Sequence, residues 1–226
     1  MPQTLLPKIR SYLDRLSSQA FAADSSRGEA IDTLAKWVAG RIAAAGSAEV
    51  IVVCTGNSRR SMLGAAMGNA AASYLETPVR FSSGGTAPSA MNIRTIEALR
   101  EAGFEIEPNR QTAPAGAGGE LNPVYGVSWT VVGERTAAEG DVLEFSKKFS
   151  DAANPQRDFA AIMVCSEASE ECPIVPGAAL SVSMPFEDPK SHDGLASETM
   201  AYAERRDEIA RCMLEILVRA GKRKGE

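Results

Sequence analysis

The chain has 226 residues, 44% of them hydrophobic and 23% charged, with a formal net charge of −5. This length suits one large domain or a core domain with additions. The negative charge argues against general nucleic-acid binding, and no apolar run approaches the roughly 20 residues that cross a membrane. Because the N-terminus also lacks the apolar core of a signal peptide, we expect a cytoplasmic protein.

The cysteines and the single histidine limit the kinds of site that the chain can build. Four cysteines are too few for a disulfide scaffold at this length, so we expect them to be free, catalytic or redox-active. They are Cys54, Cys165, Cys172 and Cys212. No zinc-binding pattern occurs, and one histidine argues against a histidine-based metal site. We therefore predict no metal and no cofactor.

Two sets of apolar residues at helical spacing occupy the first 46 residues. Leu5 and Ile9 begin the first set, and Ile31 and Leu34 begin the second. Two amphipathic helices are therefore predicted, and they form an N-terminal extension over residues 1–46. We expect the extension to pack on the rest of the chain. A subunit interface or the cover of a sheet edge is an alternative role.

The most informative stretch of the sequence lies around Cys54. A β-branched run at 50–53 ends at this cysteine, and a tight loop and a small-residue segment at 62–75 follow it. The pattern predicts a strand, a loop and a helix. The N–H groups of such a loop point inward at the helix N-terminus, where the macrodipole adds positive charge. Arg60 can hold two oxyanion oxygens with its planar guanidinium. We therefore predict an oxyanion-binding loop with Cys54 as its thiolate nucleophile.

The predicted oxyanion-binding residues follow Cys54 directly and are Thr55, Gly56, Asn57, Ser58, Arg59, Arg60 and Ser61. Ser61 can donate a hydrogen bond to the thiolate, and the Asn57 amide can hold the shape of the loop. The alternative is a buried cysteine at a strand end beside a surface arginine. The whole run at a strand-to-helix junction favours the oxyanion site.

Strands and helices are predicted to alternate along the rest of the chain. Strands are expected at 79–83, 159–164 and 180–184, and helices at 92–102 and 198–220. Such alternation is typical of an α/β fold with a mostly parallel sheet. Because the carboxyl ends of parallel strands meet at one edge, Cys54, Cys165 and the segment after Met184 are expected to converge.

Residues 107–150 are predicted to be an insertion. Prolines, glycines and small polar residues predict a loop at 108–119. Aromatic and β-branched residues predict a strand or hairpin at 124–132, and 143–149 fits either a strand or a helix. The insertion is expected either to lie on the rim of the active site or to be a surface elaboration without a catalytic part.

Several motifs together resemble one enzyme superfamily. They are Cys-x5-Arg-Ser from Cys54 to Ser61, Ser83-Gly84-Gly85-Thr86 in the second βα unit, and Asp188-Pro189. Over about residues 48–106 and 158–220 the chain resembles the low-molecular-weight protein tyrosine phosphatases and thioredoxin-coupled arsenate reductases. The resemblance implies a phosphotyrosine phosphatase I-like fold, which is a three-layer α/β sandwich with a four-stranded, mostly parallel sheet. It also identifies residues 47–226 as the catalytic domain.

The reaction also needs an acid for the leaving group, on another loop at the same edge of the sheet. Glu187 and Asp188 follow the last predicted strand. Before Pro189, Asp188 is biased toward an extended backbone that can direct its carboxylate into the cleft. The superfamily has an Asp-Pro acid loop, so the resemblance assigns the acid to Asp188. An ordinary turn residue is the alternative.

The segment from Cys165 to Cys172, with Pro173 after it, resembles the thioredoxin-coupled arsenate reductases. In that family two further cysteines carry oxidation away from the nucleophile. The resemblance thus implies a Cys54–Cys165–Cys172 relay, in which Cys165 resolves the nucleophile and Cys172 takes over the disulfide. The alternative is that both are small buried hydrophobic residues. The implied catalytic set is Cys54, Arg60, Asp188, Cys165 and Cys172.

We therefore predict a cysteine-dependent oxyanion enzyme whose ligand is phosphate or arsenate. Arsenate reduction coupled to thioredoxin is favoured. Hydrolysis of phosphomonoesters, including those of phosphotyrosine proteins, is the alternative, and an inactive oxyanion-binding interaction module is a second alternative. Three residues depart from the family pattern. Arg59 stands where a cysteine is frequent, and Ala65 stands where some reductases have a glutamate associated with potassium. Lys190 follows Pro189, where the tyrosine phosphatases have a tyrosine.

Overall fold

The computed structural model describes residues 4–19, 25–131, 142–165 and 175–222. The helices in these ranges are α1 Pro7–Ser17, α2 Ser25–Ala45, α3 Arg60–Tyr74, α4 Ile93–Ala102 and α5 Glu198–Lys222, with a short 3₁₀ turn at Pro189–His192. The strands are β1 Ala48–Cys54, β2 Val79–Gly85, β3 Glu105–Thr112, β4 Pro123–Ser128, β5 Val142–Glu144, β6 Phe159–Met163 and β7 Ala178–Ser183. Among the helices described, none is long and apolar enough to cross a membrane.

The main sheet is built around β1. Its strand order is β2-β1-β6-β7, and every neighbouring pair is parallel. The side chains of Val50, Ile51, Val52 and Val53 are fully buried, which is typical of a strand covered on both faces. The predicted α/β fold, with a four-stranded sheet flanked by helices, is confirmed. Because β1 and β6 lie side by side, the residues that follow them meet at one edge of the sheet.

Both N-terminal helices pack into the same hydrophobic core as β1. Ile9 and Leu13 of α1 and Leu34 and Val38 of α2 are fully buried in this core. Helix α2 contacts α5 and β7, and α1 contacts α5. The structure is thus consistent with the packing role expected for the first 46 residues. The division of the chain at residue 46 stays a prediction.

Residues 105–144 contribute a second, antiparallel sheet of order β3-β4-β5. The prediction of a loop from 108 to 119 is wrong at its beginning, because β3 continues through Pro108 to Thr112. Proline lacks an N–H donor, but β3 is an edge strand and its register shifts between Pro108 and Thr112, so the missing donor is tolerated. The strand predicted at 124–132 corresponds to β4, and residues 132–141 lie outside the described ranges.

Helix α3 can approach the sheet closely because it is rich in small residues. A Cβ atom added at Gly68 would lie 2.5 Å from Cγ of Phe81 on β2, which is closer than atoms can pack. Phe81 itself is 1% exposed and cannot turn away into solvent. Glycine at position 68 therefore sets the distance between α3 and β2, and with it the position of the loop at the start of α3.

The substitution Gly68→Ala is expected to lower the free energy of unfolding by about 1–3 kcal/mol, because overpacking at Phe81 outweighs the gain in helix propensity. Gly40→Ala is the matched control, since Gly40 also lies inside a helix but has open space around its Cα. This control should raise the free energy of unfolding by about 0.5–1 kcal/mol. Urea unfolding monitored by circular dichroism measures both. Equal effects at the two positions would contradict this account of the packing.

Candidate active site

The loop between β1 and α3 has its carbonyl groups turned outward. The carbonyls of Cys54, Thr55, Gly56 and Ser58 accept hydrogen bonds of 2.9–3.2 Å from the N–H groups of Thr86, Ala87, Ser89 and Asn92, respectively. By contrast, the N–H groups of residues 55–60 donate to no other group in the described part of the chain. Converging free N–H groups at a helix N-terminus are suited to an oxyanion.

Two backbone features allow this loop shape. Asn57 has a φ of +42°, a left-handed conformation that asparagine tolerates better than most residues. Gly85, at the end of β2, lies directly beneath the loop, and a Cβ atom there would lie 2.5 Å from the carbonyl oxygen of Thr55. The close approach of the loop thus explains why the second residue of the Gly84-Gly85 pair is a glycine.

A chain of hydrogen bonds ends at the sulfur of Cys54. The backbone N–H of Lys147 donates to Oδ1 of Asn57 at 2.8 Å, and Nδ2 of Asn57 donates to Oγ of Ser61 at 2.8 Å. Oγ of Ser61 lies 3.1 Å from Sγ of Cys54. Because the Ser61 oxygen already accepts a hydrogen bond from Asn57, its hydroxyl group can donate its own hydrogen bond to the sulfur. A thiolate at Cys54 would therefore have a positioned hydrogen-bond donor.

The insertion supports the loop directly. The Ser146 hydroxyl donates to the Gly56 carbonyl at 3.1 Å, and the Gly85 N–H donates to the Lys147 carbonyl at 2.9 Å. The Lys147 side chain is buried and pairs with Glu144 at 3.1 Å. The sequence left open whether the predicted insertion is part of the rim or only a surface elaboration, and the structure places residues 146–147 against the loop between β1 and α3. Sequence reasoning missed these residues, since no motif marks them.

Arg60 connects the loop with the segment that follows β7. Its Nη1 donates to the Phe186 carbonyl at 3.0 Å, and its Nη2 donates to Oδ2 of Asp188 at 2.7 Å. Its Nε is buried and makes no hydrogen bond within the described structure. A guanidinium has five N–H donors in a fixed fork, so donors remain for an oxyanion while Asp188 is bound. An oxyanion on this fork would lie next to the Asp188 carboxyl group.

The structure distinguishes the two acid candidates by position. Asp188 has the extended backbone expected before Pro189, with φ −78° and ψ 120°. Its Oδ1 accepts from the Lys190 N–H at 3.0 Å, and its side chain is 34% exposed. The Glu187 carboxylate instead pairs with Arg205 of α5 at 3.3 Å and is 76% exposed. Only Asp188 of this pair contacts Arg60, so the geometry favours it as the acid.

Arg59 holds its side chain away from the other loop groups. Its Nε donates to the Tyr202 hydroxyl at 2.7 Å, and its Nη2 donates to Oδ2 of Asp193 at 3.0 Å. The Tyr202 hydroxyl in turn donates to Oδ1 of Asp193 at 2.8 Å. Burial raises the pKa of Tyr202 to about 12, so the hydroxyl keeps the proton that it donates. These bonds occupy two of the five N–H donors of the Arg59 guanidinium, and its backbone N–H makes no hydrogen bond within the described residues.

Of the two proposed resolving cysteines, the structure describes Cys165. This residue lies two positions after the end of β6 and is fully buried, and its Sγ lies 3.6 Å from Oγ1 of Thr55. It therefore lies beside the residue that follows Cys54, as the parallel strands predict. Cys172 lies outside the described residues. Cys212 is buried in α5.

The chain matches no family model and no curated protein. Among solved structures, a YwlE mutant from Bacillus subtilis aligns with 79% of this chain and 99% of its own, at 14% identity and a TM-score of 0.46. A low-molecular-weight protein tyrosine phosphatase from Bacillus subtilis aligns with 77% of this chain and 97% of its own, at 14% identity and a TM-score of 0.45. The thioredoxin-dependent arsenate reductase Cg_ArsC1′ of Corynebacterium glutamicum aligns with 93% of this chain and 96% of its own, at 16% identity and a TM-score of 0.41. These alignments are distant, and the functional proposal rests on the site geometry instead.

Ser61→Ala is expected to slow the alkylation of Cys54 by iodoacetate at neutral pH by about 10-fold or more, because a hydrogen bond to a charged group contributes about 1.5–3 kcal/mol. Ser89→Ala is the control. Its hydroxyl bonds the Gly56 carbonyl at 3.3 Å but does not reach the sulfur, so the rate should stay within about 2-fold. Peptide mass spectrometry follows Cys54 separately from the other cysteines. An unchanged rate in Ser61→Ala would contradict the assigned hydrogen bond.

Proposed function

We propose that this protein is a cysteine-dependent oxyanion enzyme, with arsenate reduction by a Cys54–Cys165–Cys172 thiol relay as its activity. The observation that carries the proposal is the meeting of three groups at one loop. The Cys54 sulfur has the Ser61 hydroxyl beside it, and Arg60 combines a bond to Asp188 with a buried Nε that has no hydrogen-bond partner among the described residues. This set contains a nucleophile, an oxyanion cradle and an acid.

In the first step the Cys54 thiolate attacks arsenic and a sulfur–arsenic bond forms. The opposite arsenic–oxygen bond breaks, and the leaving hydroxide takes a proton from the Asp188 carboxyl group and departs as water. The N–H groups of residues 55–60 and the Arg60 guanidinium hold the other oxygens. Asp188 is one third exposed, so it can take up its next proton from solvent.

In the second step the Cys165 thiolate attacks Sγ of Cys54. A disulfide forms, the sulfur–arsenic bond breaks, and its electron pair leaves with arsenic, which departs as arsenite. The Cys172 thiolate then attacks Sγ of Cys165 and releases the Cys54 thiolate. A dithiol protein such as thioredoxin reduces the resulting Cys165–Cys172 disulfide. The position of Cys165 next to Thr55, 3.6 Å away, favours this route.

Phosphomonoester hydrolysis, including that of phosphotyrosine proteins, is the second candidate. It shares the first covalent step, but water rather than Cys165 completes the cycle. The contact between Asp188 and Arg60 favours hydrolysis, because the leaving group of a phosphoester needs an acid beside the bound phosphoryl group. An inactive oxyanion-binding module is disfavoured by the same three groups. A reducing cytoplasmic location would suit both enzyme activities, since each needs Cys54 as a free thiol.

The relay is tested by assaying wild type, Cys54→Ser, Cys165→Ser and Cys172→Ser with arsenate and a thioredoxin system, and with p-nitrophenyl phosphate alone. Cys54→Ser should lose both activities by at least about 1,000-fold, as when other catalytic nucleophiles are removed. Cys165→Ser and Cys172→Ser should lose arsenate turnover only. Cys212→Ser is the control and should keep both activities, since Cys212, which is buried in α5, has no part in the proposed relay.

Full arsenate turnover by Cys172→Ser would exclude the relay. Phosphatase activity that depends on Cys54, together with no arsenate turnover by wild type, would favour hydrolysis. Binding of phosphate by a wild type that shows neither activity would favour the interaction module.

A further inference from the structure

Residues 186–193, which we call the acid strap, are held at both ends by consecutive arginines of the oxyanion loop. Arg60 binds the Phe186 carbonyl and the Asp188 carboxylate at one end. Arg59 binds the Asp193 carboxylate at 3.0 Å at the other end. The segment between them is short and contains the 3₁₀ turn Pro189–His192. Because this turn is a compact element, the position of Asp193 constrains the position of Asp188.

Tyr202 of α5 completes the second attachment. Its hydroxyl accepts a hydrogen bond from Arg59 at 2.7 Å and donates one to Asp193 at 2.8 Å. The tyrosine is 1% exposed, and Arg59 and Asp193 are largely shielded from water, with side chains 16% and 26% exposed. Charged hydrogen bonds that are shielded from solvent have defined geometry and are stronger than exposed ones. Arg59, Asp193 and Tyr202 therefore form a closed triangle between the oxyanion loop, the acid strap and α5.

We propose that Arg59, Asp193 and Tyr202 are positioning residues that hold the Asp188 carboxyl group at the leaving-group side of the oxyanion. This inference rests on the proposed function, since it requires Asp188 to act as the acid. Asp188 is one third exposed, and contacts to Arg60 and the Lys190 N–H alone would leave it free to move with the strap. The triangle fixes the far end of the strap and so limits that movement.

The chemistry provides a readout that separates positioning of the acid from a merely structural role. When a phosphoester reacts, a bond forms between the Cys54 sulfur and phosphorus, and the bond from phosphorus to the ester oxygen breaks. The Asp188 proton goes to that oxygen. Phenolate is a strong base and needs this proton, whereas p-nitrophenolate departs without it. Misplacing Asp188 should therefore slow phenyl phosphate far more than p-nitrophenyl phosphate.

The experiment compares wild type, Tyr202→Phe and Asp193→Asn on both esters. In each variant, kcat/KM for phenyl phosphate, which reports the step that forms the bond to Cys54, should fall by about 10-fold or more, while kcat/KM for p-nitrophenyl phosphate should stay within about 2-fold. Tyr12→Phe is the matched control, because the Tyr12 hydroxyl also donates to an aspartate, Asp207, at 2.8 Å, and neither residue bonds to the acid strap within the described structure. It should leave the ratio of the two kcat/KM values unchanged. Circular dichroism shows whether each variant is folded. If one of the two variants does not fold, the other still tests the proposal.

An equal fall on both esters, or no change in their ratio, would overturn the positioning role. If the wild type hydrolyses both esters but the variants keep the same ratio of rates on the two esters, the positioning role is wrong and the proposed function still stands. A wild type that hydrolyses neither ester, reduces no arsenate and forms no covalent intermediate at Cys54 would overturn the proposed function, and the positioning role with it.

Discussion

The hydrogen bond between Ser61 and the Cys54 sulfur is the contact on which the site depends, because a thiolate in a protein interior needs a donor. The donor is itself fixed from outside the motif. Ser61 accepts from Asn57, and Asn57 accepts from the Lys147 backbone. The Cys54 sulfur, the proposed nucleophile, is therefore oriented through Asn57 by a residue that lies 90 positions after Asn57 in the chain. The motif supplies the candidate reactive groups, and residues of the predicted insertion support them.

The sheet explains why these distant groups can meet. β1 delivers Cys54, β2 ends at the glycine beneath the loop, β6 is followed by Cys165, and the segment after β7 carries Asp188. All four strands are parallel, so their carboxyl ends share one edge. Two consecutive arginines then bind the last of these segments to the loop. Each of these groups thus lies at or after the end of a different strand, and all of them lie at one edge of the sheet.

Much of this arrangement could be predicted from local sequence. The β-branched run before Cys54 and the small residues after it predicted the strand, loop and helix, and Pro189 predicted the extended backbone of Asp188. The support from Lys147 could not be predicted, because backbone contacts between distant residues leave no periodic signal. The direction of the Arg59 side chain depends on Tyr202 and Asp193, which the sequence does not show to be neighbours. The prediction of a loop beginning at Pro108 was wrong because proline is tolerated on an edge strand such as β3.

The most direct test of the central claim is detection of a covalent intermediate on Cys54. Wild type is mixed with p-nitrophenyl phosphate, quenched in acid within milliseconds and digested, and each cysteine peptide is examined by mass spectrometry. We predict a phosphoryl group on the Cys54 peptide of wild type and none in Cys54→Ser. Hydrolysis without this adduct, or an adduct on another cysteine, would contradict Cys54 as the nucleophile of an oxyanion-binding loop.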